Sequence, residues 1–278
     1  MDYKEAVTRG NDILLTGIRH FDLAQTLDCG QAFRWAGDGN SYSGIAHGRR
    51  LEVENTSGGV VLKNITPAEF ESTWKSYFDL GRDYTQLRES FSSDEHLSKA
   101  IDFSPGLRLM KQDVWEILIS FILSQNSNIP RIKKMISSLC QHFGQELPCG
   151  GFAFPTAEKL ADLSGNDLAP IKCGYRASYI IDAARRVHDG RFNAASLKSL
   201  PTDEVRTALL EIHGVGPKVA DCVLLFGFGR IECYPLDVWM KRVMTNMYPG
   251  GFPESLKNHA GIAQQFLFHY ARMSQALS

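Results

Sequence analysis

Long apolar runs, clustered cysteines and surplus charge are all scarce in this chain of 278 residues. No stretch approaches the ~18 consecutive apolar residues of a membrane span. The opening Met1-Asp-Tyr-Lys-Glu5 lacks the basic-then-apolar order of a secretion signal, so a cytoplasmic protein is expected. The six cysteines (Cys29, Cys140, Cys149, Cys173, Cys222 and Cys233) include no Cys-x-x-Cys and no paired Cys/His cluster. That argues against a zinc site or an iron–sulfur cluster and for free thiols in a reducing compartment. A net charge of −1, divided as −4 over residues 1–100 and +3 over 101–278, excludes a protein basic all over. Any nucleic-acid surface must then be a local patch of backbone donors and a few placed cations. Fixed-period repeats, low-complexity tracts and long linkers are absent as well.

What is present reads in two parts. Ile13-Leu-Leu-Thr16, Ala32-Phe-Arg-Trp35, Tyr42-Ser-Gly-Ile45, Leu51-Glu-Val-Glu54 and Val60-Val-Leu-Lys63 are short strand-like runs parted by Gly, Asn, Asp or Ser. Helical spacing begins at Thr66 and runs through Trp74, Tyr77 and Phe78, with two short helices over 84–103. Beyond Pro105 the pattern is helical almost throughout. Residues 113–124 are apolar nearly all round, as a central buried helix requires. An amphipathic helix follows over 129–143 with Lys133 and Lys134 facing out, then helices at 155–164, 176–189, 201–212, 217–227, 237–247 and 257–275. An antiparallel sheet followed by helices is an α+β protein. The expected division is residues 1–105 against 106–278, with a site in the cleft between them.

The stretch that organises the rest is Leu209-Leu-Glu-Ile-His-Gly-Val-Gly-Pro-Lys-Val-Ala-Asp-Cys222. It reads as a helix end, a tight hairpin and a second helix. Gly214 can supply the left-handed residue that ends the first helix, and Gly216 lets other groups approach the backbone closely. Pro217 suits the first helical position, where its missing N–H costs nothing. The turn therefore offers free N–H groups at a helix start, a natural phosphate site. Lys218 sits one residue into that helix, where the positive end of the dipole would favour its neutral, nucleophilic amine. Taken on the hairpin alone, Lys218 could equally be a phosphate-binding cation, and Asp237, in Pro235-Leu-Asp-Val-Trp239, a helix cap.

Gly214-Val-Gly-Pro-Lys-Val-Ala-Asp-Cys222 followed by Pro235-Leu-Asp-Val238 resembles the helix-hairpin-helix, Gly/Pro loop and catalytic Asp of base-excision DNA glycosylases. Gly30-Gln-Ala-Phe-Arg-Trp35, Gly106-Leu-Arg-Leu-Met-Lys-Gln-Asp113, Ser124-Gln-Asn-Ser-Asn-Ile-Pro-Arg131 and Gly174-Tyr-Arg-Ala177 narrow the resemblance to the eukaryotic-type 8-oxoguanine DNA glycosylase/lyases. The resemblance covers nearly the whole chain and implies a TBP-like sheet lobe before an all-helical lobe. It also implies that Lys218 attacks C1′ and forms a Schiff base, with Asp237 stabilising charge on the sugar. The base would be flipped out, its N7–H taken by the Gly30 carbonyl, its faces by Phe268 and Cys222, and its Watson–Crick edge by Gln264. Asn126 would fill the hole, Tyr175 wedge the stack, and Arg131 and Arg176 donate to the estranged cytosine. Gly214 and Gly216 N–H groups would hold a phosphate, and the carbonyls of Leu210, Ile212 and Val215 a monovalent or calcium ion. No cofactor is required, the partner is duplex DNA containing 8-oxoguanine, and the protein acts as a monomer.

Two positions depart from that pattern. The eukaryotic form carries a His two residues after the catalytic Asp and an Asp three after the pocket Phe; here these are Trp239 and Ala271. Two alternatives stand beside this reading: a glycosylase for another damaged base, or a non-catalytic protein that uses the hairpin for DNA-backbone contacts. The absence of any cysteine after Cys233 disfavours relatives with a four-cysteine iron–sulfur loop, and Lys218 disfavours those that lack the lysine.

Overall fold

A computed structural model describes residues 2–274, so Met1 and the last residue of the expected 257–275 helix lie outside the described residues. The strands β1 (Glu5–Arg9), β2 (Asp12–Thr16), β3 (Trp35–Gly37), β4 (Ser41–Ala46), β5 (Arg49–Thr56) and β6 (Gly59–Lys63) form one antiparallel sheet ordered β1-β2-β6-β5-β4-β3. Tyr42, Gly44 and Ala46 on β4 and Val60 and Leu62 on β6 alternate inward, as a half-buried sheet demands. β1 has no counterpart among the expected runs. It is mostly exposed and exists through its ladder to β2, from Glu5 opposite Thr16 to Arg9 opposite Asp12.

Residues 32–34, expected as strand, lie outside β3. The buried Gln31 side chain instead ties this segment to Thr26 C=O (2.9 Å), Arg108 C=O (2.7 Å) and Met110 N–H (2.9 Å). The helix α1 (Leu23–Leu27), capped by Asp22, leads into that turn. After the sheet, a Thr66/Glu69 capping box starts α2 (Pro67–Glu69), which runs through a π-helical turn at Phe70–Trp74 into α3 (Lys75–Tyr77). Tyr77 and Phe78 pack on Trp35, whose indole N–H donates to Tyr77 Oη at 2.8 Å, and Trp74 packs on Tyr77 and Phe78 in turn. Two further helices, α4 (Tyr84–Phe91) and α5 (Glu95–Phe103), start at Asp83 and Asp94 caps.

One buried cation knots these parts together. Arg108 is fully buried and donates to Asp2 Oδ2 (2.6 Å), His20 C=O (2.9 Å) and Asp79 C=O (2.8 Å), with its guanidinium over the Tyr84 ring at 4.3 Å. Burial disfavours the Asp2 carboxylate, but the Tyr84 N–H and Arg108 outweigh it and hold its pKa below the usual value.

The helical part follows with α6 (Val114–Ser124), α7 (Ile129–Phe143), α8 (Ala157–Ala161), α9 (Arg176–His188), α10 (Ala194–Leu197), α11 (Thr202–Leu210) and α12 (Pro217–Val223), the last continuing into a π-helical turn at Leu224–Phe228. Every residue from Ile117 to Leu123 is buried, so α6 is the central helix that its composition requires. It packs against α7, α9 and α12, and Phe121 stacks on Phe226 at 5.5 Å.

The chain divides into two compact units, one of residues 1–44, 51–111 and 231–278, the other of 45–50 and 112–230. This differs from the expected division at 105/106. The last helices, α13 (Val238–Met247) and α14 (Ala260–Met273), belong with the sheet: α14 packs on α5 and α13. Tyr248 Oη donates to Asp94 (2.7 Å), and Gln265 Nε2 reaches Cys29 Sγ (3.1 Å).

Replacing Arg108 by Met strands a buried Asp2 carboxylate and should cost about 3–5 kcal/mol of stability in urea denaturation. The Asp2 contribution is present above its unfolded pKa and disappears as pH falls through its lower folded value. Asp2→Asn should accordingly flatten the acid limb of the melting-temperature profile.

Candidate active site

The hairpin between α11 and α12 is built around one backbone conformation. Gly214 sits at φ +82°, and a Cβ there would lie 2.3 Å from the Tyr179 ring. Val215 N–H closes the turn onto Ile212 C=O at 3.0 Å. Two side chains clamp it: Gln125 Nε2 donates to Gly214 C=O (3.0 Å), and Asp182 accepts the His213 N–H (2.9 Å). His213 itself is exposed and meets Tyr179 edge-to-face at 4.6 Å. An Arg206–Asp221 ion pair joins the two helices of the hairpin. The N–H groups of Gly214 and Gly216 make no hydrogen bond among the described residues, and open space surrounds the Gly216 Cα. This leaves two donors, at the start of a helix, directed at nothing in the protein.

Lys218 follows at once. It is half-buried, with Nζ 3.5 Å from Ser124 Oγ and 4.7 Å from the centre of the Phe121 ring. The central helix α6 therefore supplies both the hydroxyl and the aromatic face beside the amine. Cys222, one turn further along α12, is buried.

The same unit carries the four residues expected around an estranged base, and they fare differently. Tyr175 is 54% exposed at the start of α9, braced edge-on by Tyr179 at 5.7 Å. Asn126 is exposed with φ +47°. Arg131 is exposed, and its side chain makes no hydrogen bond or ion pair among the described residues. Arg176 is the most fully engaged of the four. It is buried, its Nε donates to Gln125 C=O (3.0 Å), Nη1 to Cys173 C=O (3.1 Å) and Nη2 to Gln125 and Asn126 C=O (the latter at 3.2 Å). A guanidinium so committed presents no free fork to a cytosine. It holds the Gln125–Asn126 turn instead.

Asp237 lies in the sheet-containing unit, where it caps α13 by accepting the Met240 N–H at Oδ1 (2.8 Å). Its Oδ2 makes no hydrogen bond among the described residues, so the cap leaves that oxygen unspent. Gly30 (φ +96°) is fixed between Cys29 and Gln31, both buried and hydrogen-bonded. On α14, Gln264 is 4% exposed with an unpartnered Oε1, whereas Phe268 is half-exposed. Trp239, at the first departing position, lies under the Arg242 guanidinium at 5.1 Å; Ala271, at the second, is buried. Gln125, Asp182 and Arg272 were not marked by the sequence. A glutamine beside a helix end, an aspartate in mid-helix and an arginine near the terminus carry no local signal of what they hold.

Residues 13–118 match the 8-oxoguanine DNA glycosylase N-terminal domain, and residues 119–253 match the HhH-GPD superfamily of base excision DNA repair proteins. A probable N-glycosylase/DNA lyase of Methanothermobacter thermautotrophicus is 33% identical, over 82% of this chain and 84% of its own length. The N-glycosylase/DNA lyase of Saccharomyces cerevisiae is also 33% identical, over 81% of this chain and 68% of its own. The 8-oxoguanine glycosylase/lyase of Clostridium acetobutylicum, solved with double-stranded DNA containing cytosine opposite 8-oxoguanine, superimposes with a TM-score of 0.92. It is 36% identical, covering 99% of this chain and all of that one.

The two hairpin glycines should respond unequally to an added methyl group. Gly214→Ala meets both the left-handed backbone and the Tyr179 ring and should lower stability by at least about 1–3 kcal/mol. Gly216→Ala should leave the melting temperature unchanged, because its backbone angle is ordinary and its surroundings are open.

Proposed function

Since this chain belongs to the 8-oxoguanine DNA glycosylase family of the HhH-GPD superfamily, we propose that it is a DNA glycosylase/lyase that removes 8-oxoguanine opposite cytosine from duplex DNA. The observation that carries this reading is Lys218, a half-buried lysine placed directly after two unspent backbone donors. Gly214 and Gly216 N–H groups hold a phosphate of the damaged strand, which brings the adjoining sugar to the amine.

The damaged nucleotide leaves the stack. Tyr175 wedges beside the gap, Asn126 fills it, and Arg131 donates to the estranged cytosine. Gly30 C=O accepts the N7–H that guanine lacks, Gln264 reads the Watson–Crick edge, and Phe268 and Cys222 cover the two faces. The Lys218 amine then attacks C1′ through its nitrogen lone pair; the C1′–N9 bond breaks and its electron pair departs with the base, which takes up a proton. Asp237 Oδ2 opposes the positive charge that develops on the sugar. Ring opening gives the lysine Schiff base, loss of a C2′ proton follows, and the 3′ phosphate is expelled by β-elimination.

No cofactor takes part in these steps. The carbonyls of Leu210, Ile212 and Val215 suit a structural monovalent or calcium ion. Ile212 C=O spends one lone pair on Val215 N–H and keeps the other, and among the described residues no group of His, Cys, Asp or Glu side chains converges on a metal position. No helix among the described residues is long and apolar enough to cross a membrane. The protein acts as a monomer on chromosomal DNA in the cytoplasm.

Duplexes carrying 8-oxoguanine opposite each of the four bases test this reading. Excision should be fastest opposite cytosine, and Arg131→Ala should flatten that preference; absence of excision from every duplex contradicts the proposal. Asp237→Asn keeps a good cap and should melt like the wild type while excision slows about 100-fold or more. Asp237→Ala should additionally lose about 1 kcal/mol of stability.

A further inference from the structure

Gln264, Phe268 and Arg272 follow one another at intervals of four on α14 and so share one face. Every residue from Ala260 to Leu267 is buried; Phe268 is the first whose side chain is partly open. Four residues before it and four after it a buried polar atom lacks a partner among the described residues: Gln264 Oε1 and Arg272 Nη1. Leaving either unpaired is costly, and the charged donor is the costlier of the two. Arg272 is nonetheless held firmly. Nη2 donates to Asp28 C=O at 3.0 Å, and the guanidinium carbon lies 5.5 Å from the Phe268 ring centre. Ala271 beside it offers no carboxylate to consume the remaining donor. Burial pulls the guanidinium pKa below its usual value, with Cys29, Asp28 and Asp237 opposing that effect.

Asp28 stands two residues before Gly30, so the fixed end of Arg272 is attached to the turn that presents the Gly30 carbonyl. In 8-oxoguanine the N7–H and the C8 carbonyl occupy adjacent ring atoms, and the Watson–Crick edge is on the far side of the base. A base lying on Phe268 with N7–H on Gly30 therefore turns its C8 oxygen toward Arg272 and its N1–H and amino group toward Gln264. Both unpartnered atoms gain a partner from one ligand. We propose that Arg272 is a specificity-determining residue that donates Nη1–H to the C8 oxygen of the flipped base. This rests on the assignment of Gly30 and Phe268 to the base pocket made above. It adds a second lesion-specific contact, since guanine has no oxygen at C8.

The test compares single-turnover excision of 8-oxoguanine and 8-thioguanine opposite cytosine. The thio base keeps N7–H but replaces the accepting oxygen by sulfur, a weak acceptor. Wild-type enzyme should prefer the oxo base by roughly tenfold. Arg272→Met should lose about that factor on 8-oxoguanine and little on 8-thioguanine, so that the preference collapses. Cleavage of a preformed abasic site, which presents no base, reports on folding and on Lys218. Should Arg272→Met impair that cleavage too, Arg272→Lys, which keeps the stem and the charge, must still lose selectively on the oxo base. Equal losses on both bases, or no loss, overturn the inference. Wild-type enzyme that excises neither base contradicts instead the function proposed above.

Discussion

The left-handed turn at Gly214, pressed against the ring of Tyr179, is the constraint on which the catalytic side of the molecule depends. It reverses the chain within a few residues, so that α12 begins with two donors exposed and a lysine immediately behind them. Each clamp on the turn comes from a distant part of the same unit: Gln125 from the end of the central helix, Asp182 and Tyr179 from α9. Arg176 on α9 in turn holds the carbonyls of Gln125 and Asn126. The hairpin, the Asn126 turn and the start of α9 at Tyr175 therefore form one hydrogen-bonded assembly rather than three loops.

The fold leaves several polar atoms unspent near the proposed site. Among the described residues they include the Gly214 and Gly216 N–H groups, Asp237 Oδ2, Gln264 Oε1 and Arg272 Nη1. Each is positioned by a neighbour that is fully engaged: Asp237 Oδ1 in its cap, Arg272 Nη2 on Asp28, and the Gly214 carbonyl on Gln125. Proteins bear such unsatisfied groups where a ligand will complete them. The substitutions at Trp239 and Ala271 fit the same arrangement. Trp239 takes a cation–π partner in Arg242, and the buried Ala271 adds no carboxylate of its own beside Arg272.

Much of this was legible in the sequence because it is local. Residues 113–124 read as a buried helix from their own composition, and Gly-x-Gly-Pro-Lys specified the hairpin and the start of α12. The failures were long-range. β1 lacks an alternating pattern and owes its strand conformation to the ladder with β2. Residues 32–34 have strand-like composition but are claimed by the buried Gln31 side chain and the 107–110 segment. Periodicity gives α13 and α14 an apolar face without saying which core receives it, and they join the sheet. Nothing in Gly174-Tyr-Arg-Ala177 announces that the Arg176 guanidinium is engaged by the backbone carbonyls of Cys173, Gln125 and Asn126. The Arg108–Asp2 pair, separated by more than a hundred residues, had no local trace.

The central claim is that Lys218 becomes covalently joined to the sugar of the damaged nucleotide. Borohydride added during reaction with an 8-oxoguanine:cytosine duplex tests it directly, because it reduces a lysine Schiff base to a stable amine. The account predicts a trapped protein–DNA adduct whose peptide map places the modification on Lys218, and no adduct with Lys218→Gln although that variant still binds the duplex. An adduct of equal yield in the Lys218→Gln variant, or strand cleavage by the wild type with no trappable adduct, would contradict it.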